Sequence, residues 1–281
     1  MHITSPRFET LASGYGLIEG PRIDAEGRLF FSDARNGGVF CRHPRGAIET
    51  VIPKRRGVGG IAIHADGGVV VSGKTICHVR DGVSRVVFAI RDAPGFNDLI
   101  TDADGRIWVG TQRYNPFARG VTPVPGEAYR IRAENDGELL YDDVGLTNGI
   151  GFSPDGRCVY HSDSLRSHVI VHDVVDGSCI NRRVLARMPS GAPDGLAVDE
   201  NGGVWVAAYG GGCVTRFAPD GTVDGQLAVP AKDVASVAFG GADRRDLYIA
   251  TADNLNDPSL GGTMFRTRVD VPGLPVPLAR V

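Results

Sequence analysis

The chain has 281 residues, 42% of them hydrophobic and 22% charged, with a formal net charge of −3. That is a soluble globular composition, and 30 basic against 33 acidic residues leave no broad electropositive field for a polyphosphate backbone. No run approaches the ~20 apolar residues of a bilayer span, and residues 1–19 lack a basic region followed by an apolar stretch. A cytoplasmic protein is expected, monomeric or weakly self-associating, with no nucleic-acid or membrane partner.

Five cysteines (Cys41, Cys77, Cys158, Cys179 and Cys213) are widely spread, without a C-x-x-C pair, and read as reduced, buried small hydrophobes. The 39 glycines and 17 prolines follow no collagen period, so they predict many short strands joined by turns.

In chain order, five related segments occupy residues 19–27, 59–67, 97–105, 148–156 and 194–202, ending on Gly27, Gly67, Gly105, Gly156 and Gly202. A β-like run follows each glycine, at 28–33, 68–73, 106–111, 157–163 and 203–208. A sixth, degenerate copy starts at Ser236 and continues in 246–251. Asp-Gly or Asn-Gly between β-branched and aromatic runs marks a tight hairpin. Further runs such as 38–42, 49–52, 168–173 and 183–186 bring each unit to four strands. Six such units, without sustained helical periodicity, predict an all-β, six-bladed propeller with four-stranded antiparallel blades, one domain over residues 1–281. A pair of β-sandwich domains is the competing architecture, but it leaves the repeat spacing unexplained.

The first position of the repeat holds Glu19, Gly59, Asn97, Asn148, Asp194 and Ser236. The innermost strand of each blade lies nearest the axis, so these side chains should ring one mouth of the channel. Two carboxylates and two amides, without thiolate or imidazole, suit a hard divalent cation. Calcium is expected first, with magnesium, manganese, ferrous iron or zinc as alternatives. The competing reading is that Asn148-Gly149 and Asp194-Gly195 only form turns.

At these residues the chain resembles the SMP-30/gluconolactonase/luciferin-regenerating enzyme-like family of metal-containing six-bladed propellers. The resemblance runs from Glu19-Gly20-Pro21 through Phe96-Asn97-Asp98 and Thr147-Asn148-Gly149 to Pro193-Asp194-Gly195 and residues 203–212. It implies Glu19, Asn148 and Asp194 as metal ligands and Asn97 as a residue facing substrate or metal-bound water. Sugar-lactone hydrolysing members often carry an Arg two residues before that Asn, where this chain has Gly95; Arg113 or Arg22 could supply a cation instead.

The expected reaction is metal-dependent hydrolysis of a lactone, foremost a sugar-acid lactone of the gluconolactone type, with Asp194 also the candidate general base. Substrate-facing roles are expected for Asn97, Arg113, Asp163 and Tyr209, and Asp33 occupies the position equivalent to Asp163. For the two aspartates, capping of a strand-end turn is the alternative. The proline-containing segment 111–128 is long enough to form a lid. The seven histidines show no ligand cluster, and no G-x-S-x-G, H-E-x-x-H or Walker pattern is present. The alternatives are hydrolysis of another lactone, ester or phosphoester at the same metal, and a non-catalytic binding propeller stabilised by metal.

Overall fold

The computed structural model describes residues 7–91 and 94–281. Its 24 strands form six four-stranded antiparallel sheets, each running outward from an inner strand. The inner strands are Ile18–Ile23, Ile61–Ile63, Gly95–Thr101, Thr147–Phe152, Ala192–Val198 and Val234–Gly240, heading blades 1 to 6. Each packs against the next, and the last returns to the first, so the blades close a six-bladed propeller. Among the described residues the helical content is one 3-10 turn, Pro258–Leu260, and no helix is long and apolar enough to cross a membrane.

Closure uses both ends of the described chain. Blade 6 takes its outermost strand from Glu9–Tyr15, which pairs with Gly262–Arg268 from Glu9 opposite Arg266 to Tyr15 opposite Gly262. Between blades the core is apolar; Trp205, Val214 and Leu227 of blade 5, for example, pack with Val237, Leu247 and Phe265 of blade 6.

The repeated turn has a physical basis at both ends. Gly27, Gly67, Gly105, Gly156 and Gly202 all have φ between 69° and 92°, a region that suits glycine. Three residues before the turn glycine, Asp24, Asp102 and Asp199 accept backbone N–H bonds across the turn. In blades 3 and 5 the second carboxylate oxygen accepts the indole N–H of Trp108 at 2.8 Å and Trp205 at 2.7 Å. Asp102 and Asp199 thus each fix a hairpin and anchor a buried core side chain.

The inner strands carry a register break at the repeat's first position: between Glu19 and Arg22, Phe96 and Leu99, Thr147 and Ile150, Pro193 and Leu196, and Val234 and Ser236. A bulge re-aims the side chain it carries. In blade 6 the pairing of Val234 with Thr251 and Val237 with Ile249 puts Ala235 in this position. The expectation of Ser236 is corrected by one residue, because the degenerate turn hides the register; blade 6 contributes a methyl group.

Candidate active site in the central channel

Glu19, Asn148 and Asp194 are buried at the inner-strand breaks of blades 1, 4 and 5. Asn97 occupies the corresponding position in blade 3 and is half-buried. A hydrogen-bond chain links three of these positions. Asn97 Nδ2 donates to the Thr147 carbonyl at 2.7 Å, Asn148 Nδ2 donates to Ser164 Oγ at 3.1 Å, and Ser164 Oγ donates to the Pro193 carbonyl at 2.6 Å. The amide donors are thereby used within the protein, and the amide oxygens remain as acceptors.

Blade 2 has no side chain at its equivalent, Gly59, because a Cβ there would collide with Asn97 Oδ1. Asn97 fills the place of the missing side chain. Gly149 and Gly195 are also required by close approach: a Cβ on Gly149 would strike the Leu196 amide, and one on Gly195 would strike Ser236. Neither lies among the positive-φ glycines, whereas Gly20 does, with φ 57°. Tight interblade packing, rather than a left-handed turn, therefore accounts for glycine after Asn148 and Asp194.

The electrostatics are dominated by unneutralised carboxylates. Burial pushes the Glu19 carboxyl well up, and the charges of Asp194 and Asp98 push it further. Asp194 is raised by burial and then by Asp98. Its Oδ1 is buried and has no hydrogen-bond partner. Asp98 rises to about 6 by burial despite Arg22, whose guanidinium lies 3.9 Å away. Arg22 otherwise donates to the carbonyls of Pro21 at 2.8 Å and Leu99 at 2.9 Å. Buried carboxylates that repel one another, one nearby guanidinium and an orphaned carboxylate oxygen, beside the Asn148 amide, have the oxygen-donor chemistry that fits a hard divalent cation.

Tyr209 ends the second strand of blade 5, paired with Ala192 at the same mouth. Burial and Asp233 raise its hydroxyl to about 12, and Asp194 and Glu19 add to the shift. It therefore shares the channel electrostatics. Arg113 stands at the base of the 113–125 loop and is held by Glu127, with Nε and Nη2 contacts of 2.7 to 3.0 Å. Asp163 is fully buried and accepts the backbone N–H groups of Gly145 and Leu146, with Arg166 Nη1 at 3.1 Å. Asp33 does the same in blade 1 toward Gly16, Leu17 and Asn36. Glu19, Asn97, Asn148 and Asp194 thus occupy equivalent inner-strand breaks and Tyr209 feels the charges of Glu19 and Asp194, while Asp163 fastens an interblade connection and Arg113 an ion pair.

Two features escape sequence reasoning. Asp98 belongs to the carboxylate cluster, and its signal was its place beside Asn97. A histidine also enters a ligand-like group: His43, Cys41 and Glu49, on the outer part of blade 1, present atoms within 4.8 Å of one another. Burial raises the Cys41 thiol to about 11, and His43 Nε2 lies 3.2 Å from Glu49, so the trio reads as a protonated thiol beside a His43–Glu49 contact.

Residues 17–253 match the SMP-30/gluconolactonase/LRE-like region. The chain is 34% identical over 269 residues to a 6-deoxy-6-sulfogluconolactonase of Pseudomonas putida, covering 89% of this chain and 90% of the relative. It is 31% identical over 277 residues to pentonolactonase XacC of Haloferax volcanii, covering 92% and 93%. Among solved structures, a luciferin-regenerating enzyme superposes with a TM-score of 0.88 at 25% identity, covering 99% of this chain and 100% of that one. The repeat, the closed ring of blades and these matches together make the chain a member of the SMP-30/gluconolactonase/LRE-like family.

Proposed function

We propose that the protein is a metal-dependent lactonase acting on sugar-acid lactones, with its 281 residues working as one propeller. The observation that carries this reading is the orphaned, buried Asp194 Oδ1, whose carboxylate and that of Glu19 are raised by burial and by neighbouring carboxylate charge. Relatives named as lactonases supply the reaction class. Glu19, Asn148 and Asp194 would hold the cation, with calcium favoured by their oxygen donors. When bound, such a cation supplies Lewis acidity toward an ester carbonyl and lowers the pKa of coordinated water.

The chain's own groups account for the rest. Asp194, raised by burial and by Asp98, accepts the proton of the attacking water. The Tyr209 hydroxyl, held protonated by its upward shift, donates to a substrate oxygen. Asn97 presents its amide oxygen to a sugar hydroxyl, because its amide N–H is committed to Thr147. Arg22 keeps Asp98 oriented and offsets part of the cluster's charge.

The test is proton release from sugar lactones, simple lactones and aryl esters by chelator-stripped protein supplied with single metals. Metal-restored turnover of sugar lactones supports the proposal. Folded, metal-binding protein that opens no lactone rejects it.

A further inference from the structure

The inner strands present carboxylates at this end of the channel, and an arginine on the same face makes no hydrogen bond or ion pair among the described residues. Asp33 pairs with Ile18 at the entrance of blade 1, so residues 34–38 open at the same end as Glu19. Asp33 Oδ1 accepts the backbone N–H of Arg35 at 3.2 Å and anchors this connection. The Arg35 side chain is exposed and, among the described residues, makes no hydrogen bond or ion pair. Its guanidinium carbon lies 5.9 Å from the centroid of the Phe117 ring.

Arg119, on the 113–125 loop, likewise has no hydrogen bond or ion pair among the described residues, but Arg35 is the cation whose field reaches Tyr209, and four other arginines around this face are committed. Arg55 donates to the Ser72 and Thr75 carbonyls, Arg56 to the Asn36 carbonyl, Arg113 to Glu127, and Arg166 to Asp143. Phe117 belongs to the 113–125 loop, which leaves blade 3 at the same mouth, since Phe96 pairs with Thr111. Its contact with Arg35 spans blade 2, whose equivalent connection is only residues 72–75. An aromatic face stabilises a guanidinium while its N–H edges remain available for a planar anion. The field of Arg35 also reaches the Tyr209 hydroxyl, which in turn feels Asp194 and Glu19. Gly95 cannot offer a cation from blade 3, because a Cβ there would lie 2.9 Å from the Gly73 carbonyl oxygen.

We propose that Arg35, braced by Phe117, selects substrates carrying an anionic group (carboxylate, sulfonate or phosphate) on the carbon chain remote from the ester carbonyl. The inference rests on the lactonase reading and deepens it to a substrate class. Arg35 thereby supplies a discrimination that the inner-strand carboxylates cannot.

The experiment uses the calcium-loaded full chain and compares a neutral sugar lactone with analogues bearing a terminal carboxylate or sulfonate. Wild-type protein is expected to favour the anionic analogues in kcat/KM. Arg35→Met is expected to lower the anionic-to-neutral ratio by about 10- to 100-fold, the range of a charge-assisted hydrogen bond, with the loss in KM. Arg35→Lys should recover part of the ratio. A wild-type protein without this preference, or a ratio unchanged in Arg35→Met, overturns the proposal; thermal melts verify that the variants fold.

If no lactone is opened, the lactonase reading fails, and Arg35 is judged by calorimetry with methyl glucoside and its 6-deoxy-6-sulfo analogue. Tighter binding of the sulfonate that disappears in Arg35→Met sustains the inference. Equal binding in wild type, or no effect of the substitution, overturns it.

Discussion

Asp98 is buried with Glu19 and Asp194, and its carboxyl is lifted from the ordinary 3.8 to about 6 by burial, against the opposing pull of Arg22. In chelator-treated protein, folding should therefore be disfavoured whenever Asp98 is ionised. The folded pKa lies above the unfolded one, so the full penalty applies above about pH 6 and disappears below about pH 4. A shift of about two units corresponds to roughly 3 kcal/mol. At this chain length that amounts to roughly 6–12 °C in Tm. The assay is thermal or urea unfolding of wild type and Asp98→Asn with chelator, from pH 7.5 to 4. The Asn variant loses the Arg22 ion pair, which changes its overall offset, but it cannot titrate at this position. Wild type should gain about 3 kcal/mol relative to the variant as pH falls through the window. A flat difference, or a gain in the opposite direction, would refute the buried-charge account.

Asp194→Asn should remain folded but lose lactone turnover by about 100-fold or more in kcat/KM, together with thermal stabilisation by added metal, as read by proton release and melting curves. For wild type, saturating calcium at about 100 times its Kd should add roughly 2.7 kcal/mol of stability, measured by denaturant titration, and chelator should reverse it. Burial holds His161 down at about 3 and His172 at about 4, so these imidazoles stay neutral when the unfolded chain protonates near pH 6.5. Their contribution is present above pH 6.5 and lost as pH falls toward 4; His161→Gln should flatten that loss by about 1.4 kcal/mol per pH unit in unfolding titrations. Gly95→Ala should destabilise by about 1–3 kcal/mol, because its methyl group would press on the Gly73 carbonyl.

The propeller was legible because its period is carried by residues with local physical requirements. Gly27, Gly67, Gly105, Gly156 and Gly202 all need left-handed φ values, and each precedes a run whose apolar side chains are buried between blades. Long-range relations were less accessible. Nothing local in Glu9–Tyr15 shows that it completes the sheet begun at Val234, because that pairing joins distant parts of the chain. The Ala235 register was obscured by a longer turn before Asp246.

The channel residues were visible as the variable position of an otherwise regular repeat, but their surroundings were not. Asp98 sits next to Asn97 in the sequence, but its approach to Arg22 and its burial emerged only from the fold. Asp163 shares a repeat position with Asp33, and both are consumed by backbone N–H groups, a role that strand periodicity does not separate from substrate contact. Gly149 and Gly195 resemble turn glycines in sequence, yet the neighbouring blade determines their lack of a side chain.

The most direct test of the channel account is hydrolysis of a sugar lactone by chelator-stripped protein, before and after calcium addition, beside Asp194→Asn. The account predicts turnover that returns with the metal in wild type and remains at least about 100-fold lower in the variant, with both proteins folded. Equal turnover in the two proteins, or turnover undiminished by complete metal removal, would contradict it.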